Sequence, residues 1–324
     1  MAAPPLNRRC PTANLSRENV VIAAAIDVGT NSVLLTVGER LADGEVRILE
    51  ERSEITRLGQ GVDHARTLRA EAMERTATAV AGFASRAREL GAVHLRVVGT
   101  SAARDARNAT EFACLLRQRA GVELEILSGE EEARLSYQAV RADPSLGLPA
   151  GDLIVVDIGG GSVECIWGDE AGIRFHASID CGAVRVTERF FASDPPTLAE
   201  RDRAIHWIDA QLAALPAFPL GIPAAGIGGT FVNLASICLG LREFRAEQIH
   251  GAFLDRAEVD RQVALFASMP TRERQAIPGL EPKRADVILA GALLLQRLLQ
   301  RLGNPAIQVS TRGVRYGVLF QMLG

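Results

Sequence analysis

Lysine is almost missing from this chain: of 36 basic residues only Lys283 is one. A G-x-x-x-x-G-K-[ST] phosphate loop therefore cannot be built, and a lysine Schiff base has a single candidate. Arginine, with its rigid bidentate fork, must make nearly all cationic contacts to an anion, although genome-wide codon bias explains the ratio without any function. Cysteine is scarce too. Cys10, Cys114, Cys165, Cys181 and Cys238 lie far apart, are odd in number and contain no C-x-x-C, so neither a disulfide framework nor a zinc site is signalled. The five histidines never fall at H-x-x-x-H spacing. No run of about 18 apolar residues exists to span a bilayer. Pro4, Pro5, Arg8 and Arg9 precede any apolar stretch, which is not the order of a secretory signal, so the expectation is a cytoplasmic protein without a membrane partner. A net charge of −3 argues against nucleic-acid binding through a broad basic surface.

What is present is a chain of 324 residues, 48% hydrophobic, long enough for two domains. Residues 1–19 are polar, hold three prolines and lack periodicity, which predicts a mobile arm. Val20 to Ile26 reads as a buried strand, Asp27 to Ser32 as a turn, and Val33 to Val37 and Glu45 to Glu51 as two further strands of a meander. The same grammar recurs 130 residues on: apolar Leu153 to Val156, a turn from Asp157 to Ser162, then strands Val163 to Trp167 and Ile173 to Ile179. Between the copies, helices near 69–90, 108–119 and 129–140 alternate with strands at 95–99 and 123–127, so the class is α/β. After the second copy the pattern predicts helices near 197–215, a strand at 224–227 and mostly helical sequence to the end, punctuated by Pro278, Pro282 and Pro305.

A strand ending in Asp and followed by Gly, hydroxyl and amide residues suits a phosphate with a metal ion. Glycines permit positive φ and close approach, successive N–H groups converge on anionic oxygens, and the Asp binds Mg²⁺ directly or through water. One such turn is weak, since Asp-Gly hairpins are common as structure. Two in matched contexts, Asp27 with Thr30, Asn31 and Ser32, and Asp157 with Gly159, Gly160, Gly161 and Ser162, are far stronger. A third Gly-rich turn, Gly228-Gly229-Thr230, precedes a helix and reads either as an anion site at its N-terminus or as a tight strand–helix junction. Arg104 follows another strand and either grips a phosphate or pairs with Asp105. In Ser128-Gly129-Glu130-Glu131-Glu132, Ser128 and Glu131 form a capping box and Glu130 complements the helix dipole. Glu132 has no capping task; it either decorates the helix or takes a proton from an attacking water.

Together these segments resemble the exopolyphosphatase and guanosine pentaphosphate phosphohydrolase family (Ppx/GppA) of the actin and sugar-kinase superfamily. The resemblance also takes in Arg57-Leu58-Gly59-Gln60-Gly61-Val62, Pro278-Gly279-Leu280 with Arg284-Ala285-Asp286, and Arg312-Gly313-Val314-Arg315-Tyr316-Gly317. It implies two RNase H-like, actin-like domains with mixed sheets and a site in the cleft between them. One domain would span 20–127, completed by a C-terminal helix at about 306–324, and the other 128–305. It further implies that Glu132 is the catalytic base, that Asp157 and Glu164 serve a metal ion, and that Arg104 contacts phosphate; with Asp27 added from the reading of the first turn, the expected ion is Mg²⁺ or another divalent cation. The implied reaction is hydrolysis of a terminal phosphoanhydride of inorganic polyphosphate, with guanosine pentaphosphate as the alternative substrate and a homodimer as a common assembly. Longer family members carry appended domains that this sequence lacks, which favours a short chain, a modest anion or a distributive mode. The rivals are a small-molecule kinase, for which no adenosine pocket is recognisable, and a nucleotide-sensing or filament-forming module, which has no use for Arg104 and Glu132 in the cleft.

Overall fold

The computed structural model describes residues 21–324, so the expected N-terminal arm lies outside the described residues. Eleven strands form two mixed sheets among those residues: β1 Ile22–Val28, β2 Ser32–Arg40, β3 Val46–Ile55, β4 His94–Gly99, β5 Leu124–Ile126, β6 Leu153–Ile158, β7 Val163–Asp169, β8 Gly172–Ile179, β9 Ala224–Ile227, β10 Phe253–Asp255 and β11 Ala306–Val309. The first sheet has the order β3-β2-β1-β4-β5 and the second β10-β11-β9-β6-β7-β8. In each, an antiparallel meander is joined through its first strand to a parallel partner, β1 to β4 and β6 to β9. The sequence repeat is thus a repeat of architecture. β1 is built from buried Ala23, Ala24, Ala25, Ile26 and Val28, as a central strand covered on both faces requires. β3, at the edge of its sheet, carries Arg47, Glu50, Arg52 and Glu54.

Helices cover the sheets. Ala-rich Ala70–Glu89 packs on β1 and β2, and apolar Ile288–Leu302 forms much of the core beneath the second sheet. Helix Gly129–Arg141 lies between the two halves. Leu135 faces a cluster with Ala23, Ala25 and Val98, whereas Ala133, Tyr137 and Val140 face Val155, Ile166 and Ile227. The terminal helix Val314–Leu323 packs against that helix and against β1 and β2. A Cβ on Gly317 would lie 2.4 Å from the Leu135 carbonyl oxygen, so the two helices meet backbone to backbone.

Three local expectations are corrected. The stretch from about residue 306 is not helical at its start: β11 inserts between β9 and β10 in the second sheet, and the helix begins at Val314. Four-residue β11 and three-residue β10 are too short for an alternation to register in the sequence. Helix Ala183–Phe190 was not expected. The turns are also tighter than read, because Asp27 and Asp157 are the next-to-last residues of β1 and β6. No helix among the described residues is long and apolar enough to cross a membrane.

Candidate active site

The two hairpin turns face each other and close by the same bond. Gly29 N–H donates to the Ser32 carbonyl at 2.9 Å, and Gly159 N–H to the Ser162 carbonyl at 3.0 Å. Their glycines do not take positive φ, contrary to the expectation. Gly160 and Gly161 are small because the turns touch: a Cβ on Gly160 would stand 3.1 Å from Thr30 Cβ, and one on Gly161 3.1 Å from Thr30 Oγ1. Gly228 is the exception, with φ +89° and a would-be Cβ 2.4 Å from Asp157 Oδ1. Thr230 Oγ donates to the Ile158 carbonyl at 3.1 Å, pinning the third Gly-rich turn to the end of β6.

Around this contact lies a cavity of about 110 Å³, a few waters' worth at about 30 Å³ each. It is lined by both turns, by Gly228, Gly229 and Thr230, and by Asp27, Glu132, Asp157 and Glu164. It shares Asp27, Asp157, Gly228, Gly229 and Arg284 with a wider cavity of about 630 Å³. A groove of about 930 Å³ on the outer face of helix Gly129–Arg141 contains none of the four carboxylates.

Strand register explains the carboxylates. Asp157 is paired across the hairpin with Glu164, and Asp27 with Leu34. Glu164 is 2% exposed and accepts from Ser178 Oγ at 2.9 Å. Glu132, 5% exposed on the first turn of its helix, accepts from Arg104 Nη1 at 2.8 Å. The same nitrogen donates to the Leu127 carbonyl at 3.1 Å. Arg104 is therefore given to Glu132, while Asp105 goes to Arg185. Only half of the capping box forms: Ser128 Oγ accepts from Glu131 N–H at 3.1 Å, but the Glu131 carboxylate pairs with Arg134.

Four acids in one cleft, Glu132 and Glu164 buried and Asp27 and Asp157 half-buried, resist ionisation. Burial, then the neighbouring Glu132, pushes Asp27 up to about 7. Burial, again with Glu132, takes Glu164 up to about 8. Burial and the charges of Glu164, Glu132 and Asp27 raise Asp157 well above the carboxylate range. Burial raises Glu132 too, against the opposing pull of Arg104. Asp27 Oδ1 is buried without a hydrogen-bond partner. Among the described residues no three His, Cys, Asp or Glu side chains converge as a ready metal cage. Acids that repel one another, one with an orphaned oxygen, nevertheless fit Mg²⁺, which takes one or two carboxylates and fills its octahedron with water and substrate phosphate.

Two arginines escaped the site reading of the sequence. Arg284, on a short turn of the second half, reaches across to donate to Ser32 Oγ at 2.8 Å and packs against Gly229. Arg315, on the terminal helix, donates to Thr36 Oγ at 2.7 Å and draws Asp27 back toward ionisation. Both stand in motifs that carry the resemblance, which was the only signal available: their partners are 252 and 279 positions away.

Comparison with known proteins shows the family and the fold. The model of the Ppx/GppA phosphatase family matches residues 39–324. "Exopolyphosphatase 2" of Mycobacterium tuberculosis is 34% identical over 316 residues, covering 93% of this chain and 98% of that protein. The "Guanosine-5'-triphosphate,3'-diphosphate pyrophosphatase" of Vibrio cholerae is 31% identical, covering 93% of this chain and 59% of its own. The crystal structure of the Aquifex aeolicus Ppx/GppA family member superposes with a TM-score of 0.79 at 31% identity, over 94% of this chain and 98% of that one. With two actin-like lobes around a cleft of paired glycine turns and clustered carboxylates, the chain belongs to the Ppx/GppA phosphatase family.

Proposed function

We propose that the protein is an exopolyphosphatase, hydrolysing the terminal phosphoanhydride bond of inorganic polyphosphate and releasing orthophosphate. The observation that carries this reading is Glu132, held by Arg104 at 2.8 Å and facing the cavity between two matched hairpin turns. Residues Thr30, Asn31 and Ser32, with Gly159 to Ser162 and Gly228 to Thr230, offer converging donors to the phosphate oxygens. Arg104 and Arg284 supply the cationic contacts. Glu132 orients a water for in-line attack and takes its proton at a carboxylate oxygen. Among Asp27, Asp157 and Glu164, one or two would hold Mg²⁺ directly and the rest through water; the ion when bound would neutralise charge on the phosphates and on the acids themselves. A cytoplasmic location and a homodimer belong to the same reading, as does a division near residue 128 with the terminal helix returned to the first lobe.

A second substrate has one observation in its favour. The cavity of about 630 Å³ that adjoins the carboxylates is lined by Leu34, Val232, Phe244 and Leu280 and has room for a nucleoside, which guanosine pentaphosphate carries and polyphosphate does not. Phosphate release with Mg²⁺ from short polyphosphate, long polyphosphate and guanosine pentaphosphate, run side by side, tests both. The expected ranking is polyphosphate first. Glu132→Gln should lose turnover by a factor on the order of 10²–10⁴; near-normal hydrolysis by it would remove the base assignment.

A further inference from the structure

We propose that Arg185 is a positioning residue that latches the two lobes shut at one end of the cleft and, through the same side chain, sets the second phosphate turn. The inference rests on the hydrolase reading of that turn. Arg185 stands on helix Ala183–Phe190 of the second lobe and is only 7% exposed. Its Nε donates to the Gly161 carbonyl at 2.9 Å, inside the turn. Its Nη1 is bonded to Asp63, and its Nη2 reaches Asp105 Oδ2 at 3.0 Å; both acids belong to the first lobe. One planar guanidinium thus ties a backbone carbonyl of one lobe to two carboxylates of the other, a task for which an ammonium lacks the fork.

Neighbouring contacts reinforce the junction. Asp63 also accepts from Arg189 Nη2 at 2.7 Å, and Gly61 N–H donates to Glu188 at 3.1 Å. Arg66 lies 3.9 Å from Asp105, and Asp180 lies 3.7 Å from Arg185. Gly61 lies within, and Asp63 directly follows, the Arg57–Val62 motif, for which the phosphate chemistry gives no other task. That chain rests on the first turn, since Arg57 N–H donates to the Asn31 carbonyl at 3.0 Å and Gly59 N–H to the Thr30 carbonyl at 2.8 Å. The latch therefore grips both turns at once. The space it encloses is about 10 Å³, between Thr30, Asp63, Asp105, Gly160 and Arg185. The other side of the turns opens into about 630 Å³. A phosphate chain seated on the turns extends only toward the open side.

Two variants separate the latch from the loop. Asp63→Asn keeps the bonds from Arg185 to Gly161 and Asp105 but removes one of the carboxylates that balance its buried guanidinium charge. Arg185→Lys keeps a cation between the acids but loses the Nε bond. Both are assayed for phosphate release from short polyphosphate with Mg²⁺, for hydrogen exchange of peptides covering 56–66 and 183–190, and for melting. For Asp63→Asn, exchange should rise about tenfold at both segments and KM about tenfold, with kcat within about threefold of wild type. For Arg185→Lys, which keeps a charge between the acids but neither the fork nor the Nε bond, kcat should fall about 10- to 100-fold, the scale of a misplaced binding group, with exchange raised less than in Asp63→Asn. Should Arg185→Lys fail to fold, Asp105→Asn reads the latch from its other acid. Wild-type kinetics and exchange in these variants would overturn the proposal. So would losses that follow the drop in melting temperature without dividing between kcat and KM. If the wild-type protein hydrolyses none of the substrates, the functional reading fails, while exchange in Asp63→Asn still decides whether the latch exists.

Discussion

Asp27→Asn should make the metal-free protein more stable at pH 8 while abolishing its activity. The Asp27 carboxyl is displaced from the usual 3.8 to about 7, first by burial and then by Glu132. At about 1.4 kcal/mol per tenfold change in proton affinity, holding it ionised in the folded state costs up to about 4 kcal/mol. The sign follows from linkage: a carboxyl whose folded affinity for protons exceeds its unfolded one is at no disadvantage below about pH 4, and it loses stability progressively as pH rises through about 7. The isosteric amide carries no charge and does not titrate, so its advantage over wild type should be near zero at pH 4 and about 2–4 kcal/mol at pH 8. Thermal melts in EDTA should show this as a gap of several degrees, given about 2–4 °C per kcal/mol for chains of this order of length. Millimolar Mg²⁺ should close the gap by stabilising wild type alone, since only wild type has the full set of acids to neutralise. The reasoning is refuted if Asp27→Asn in EDTA melts at or below wild type at pH 8, or if the gap is the same at pH 4 and pH 8.

Three further outcomes follow from the same geometry. Arg104→Gln removes the cation that opposes burial at Glu132, so the acid limb of the pH–rate profile should move up while the maximal rate falls at least about tenfold; an unmoved limb in kcat would separate Arg104 from Glu132. Gly182→Ala would place a Cβ 2.3 Å from the Gly160 carbonyl group, backbone that cannot rotate aside. Its cost should be about 1–3 kcal/mol in stability and on the order of 100-fold in kcat/KM, read by melting and steady-state phosphate release; wild-type values would mean that the second turn tolerates displacement. Chelation should stop hydrolysis at pH 7–8 and added Mg²⁺ should restore it, whereas full activity in excess EDTA would leave the four acids without a counter-ion and the metal assignment without support.

Much of this site could be read in one dimension. Asp27, Asp157 and the turns that follow them are local motifs repeated in matched hairpins, and Glu132 stood out because Ser128 and Glu131 accounted for the helix start without it. The illegible part is tertiary. Arg284 meets Ser32 across 252 positions, and Arg185 meets Asp63 across 122, distances at which no spacing rule operates. The positive φ expected of the turn glycines is absent, and the smallness of Gly160 and Gly161 serves a contact with Thr30 that local sequence does not encode. β10 and β11 were lost because strands of three and four residues acquire their identity from the neighbours they pair with.

The return of helix Val314–Leu323 to the first sheet bears on how such a molecule comes into being. Arg40 donates to the Leu323 carbonyl across 283 positions, and the face of Ala23, Ala25 and Val98 is covered by Val318 and Leu319. During synthesis the lobe that leaves the ribosome first must wait, with that face covered only in part by Leu127 and Leu135, until residues 314–323 emerge. Closing so long a loop is slow, and the waiting intermediate exposes apolar surface of the kind chaperones recognise. The first sheet therefore receives the cover of helix Val314–Leu323 only after the strands of the second sheet have been made.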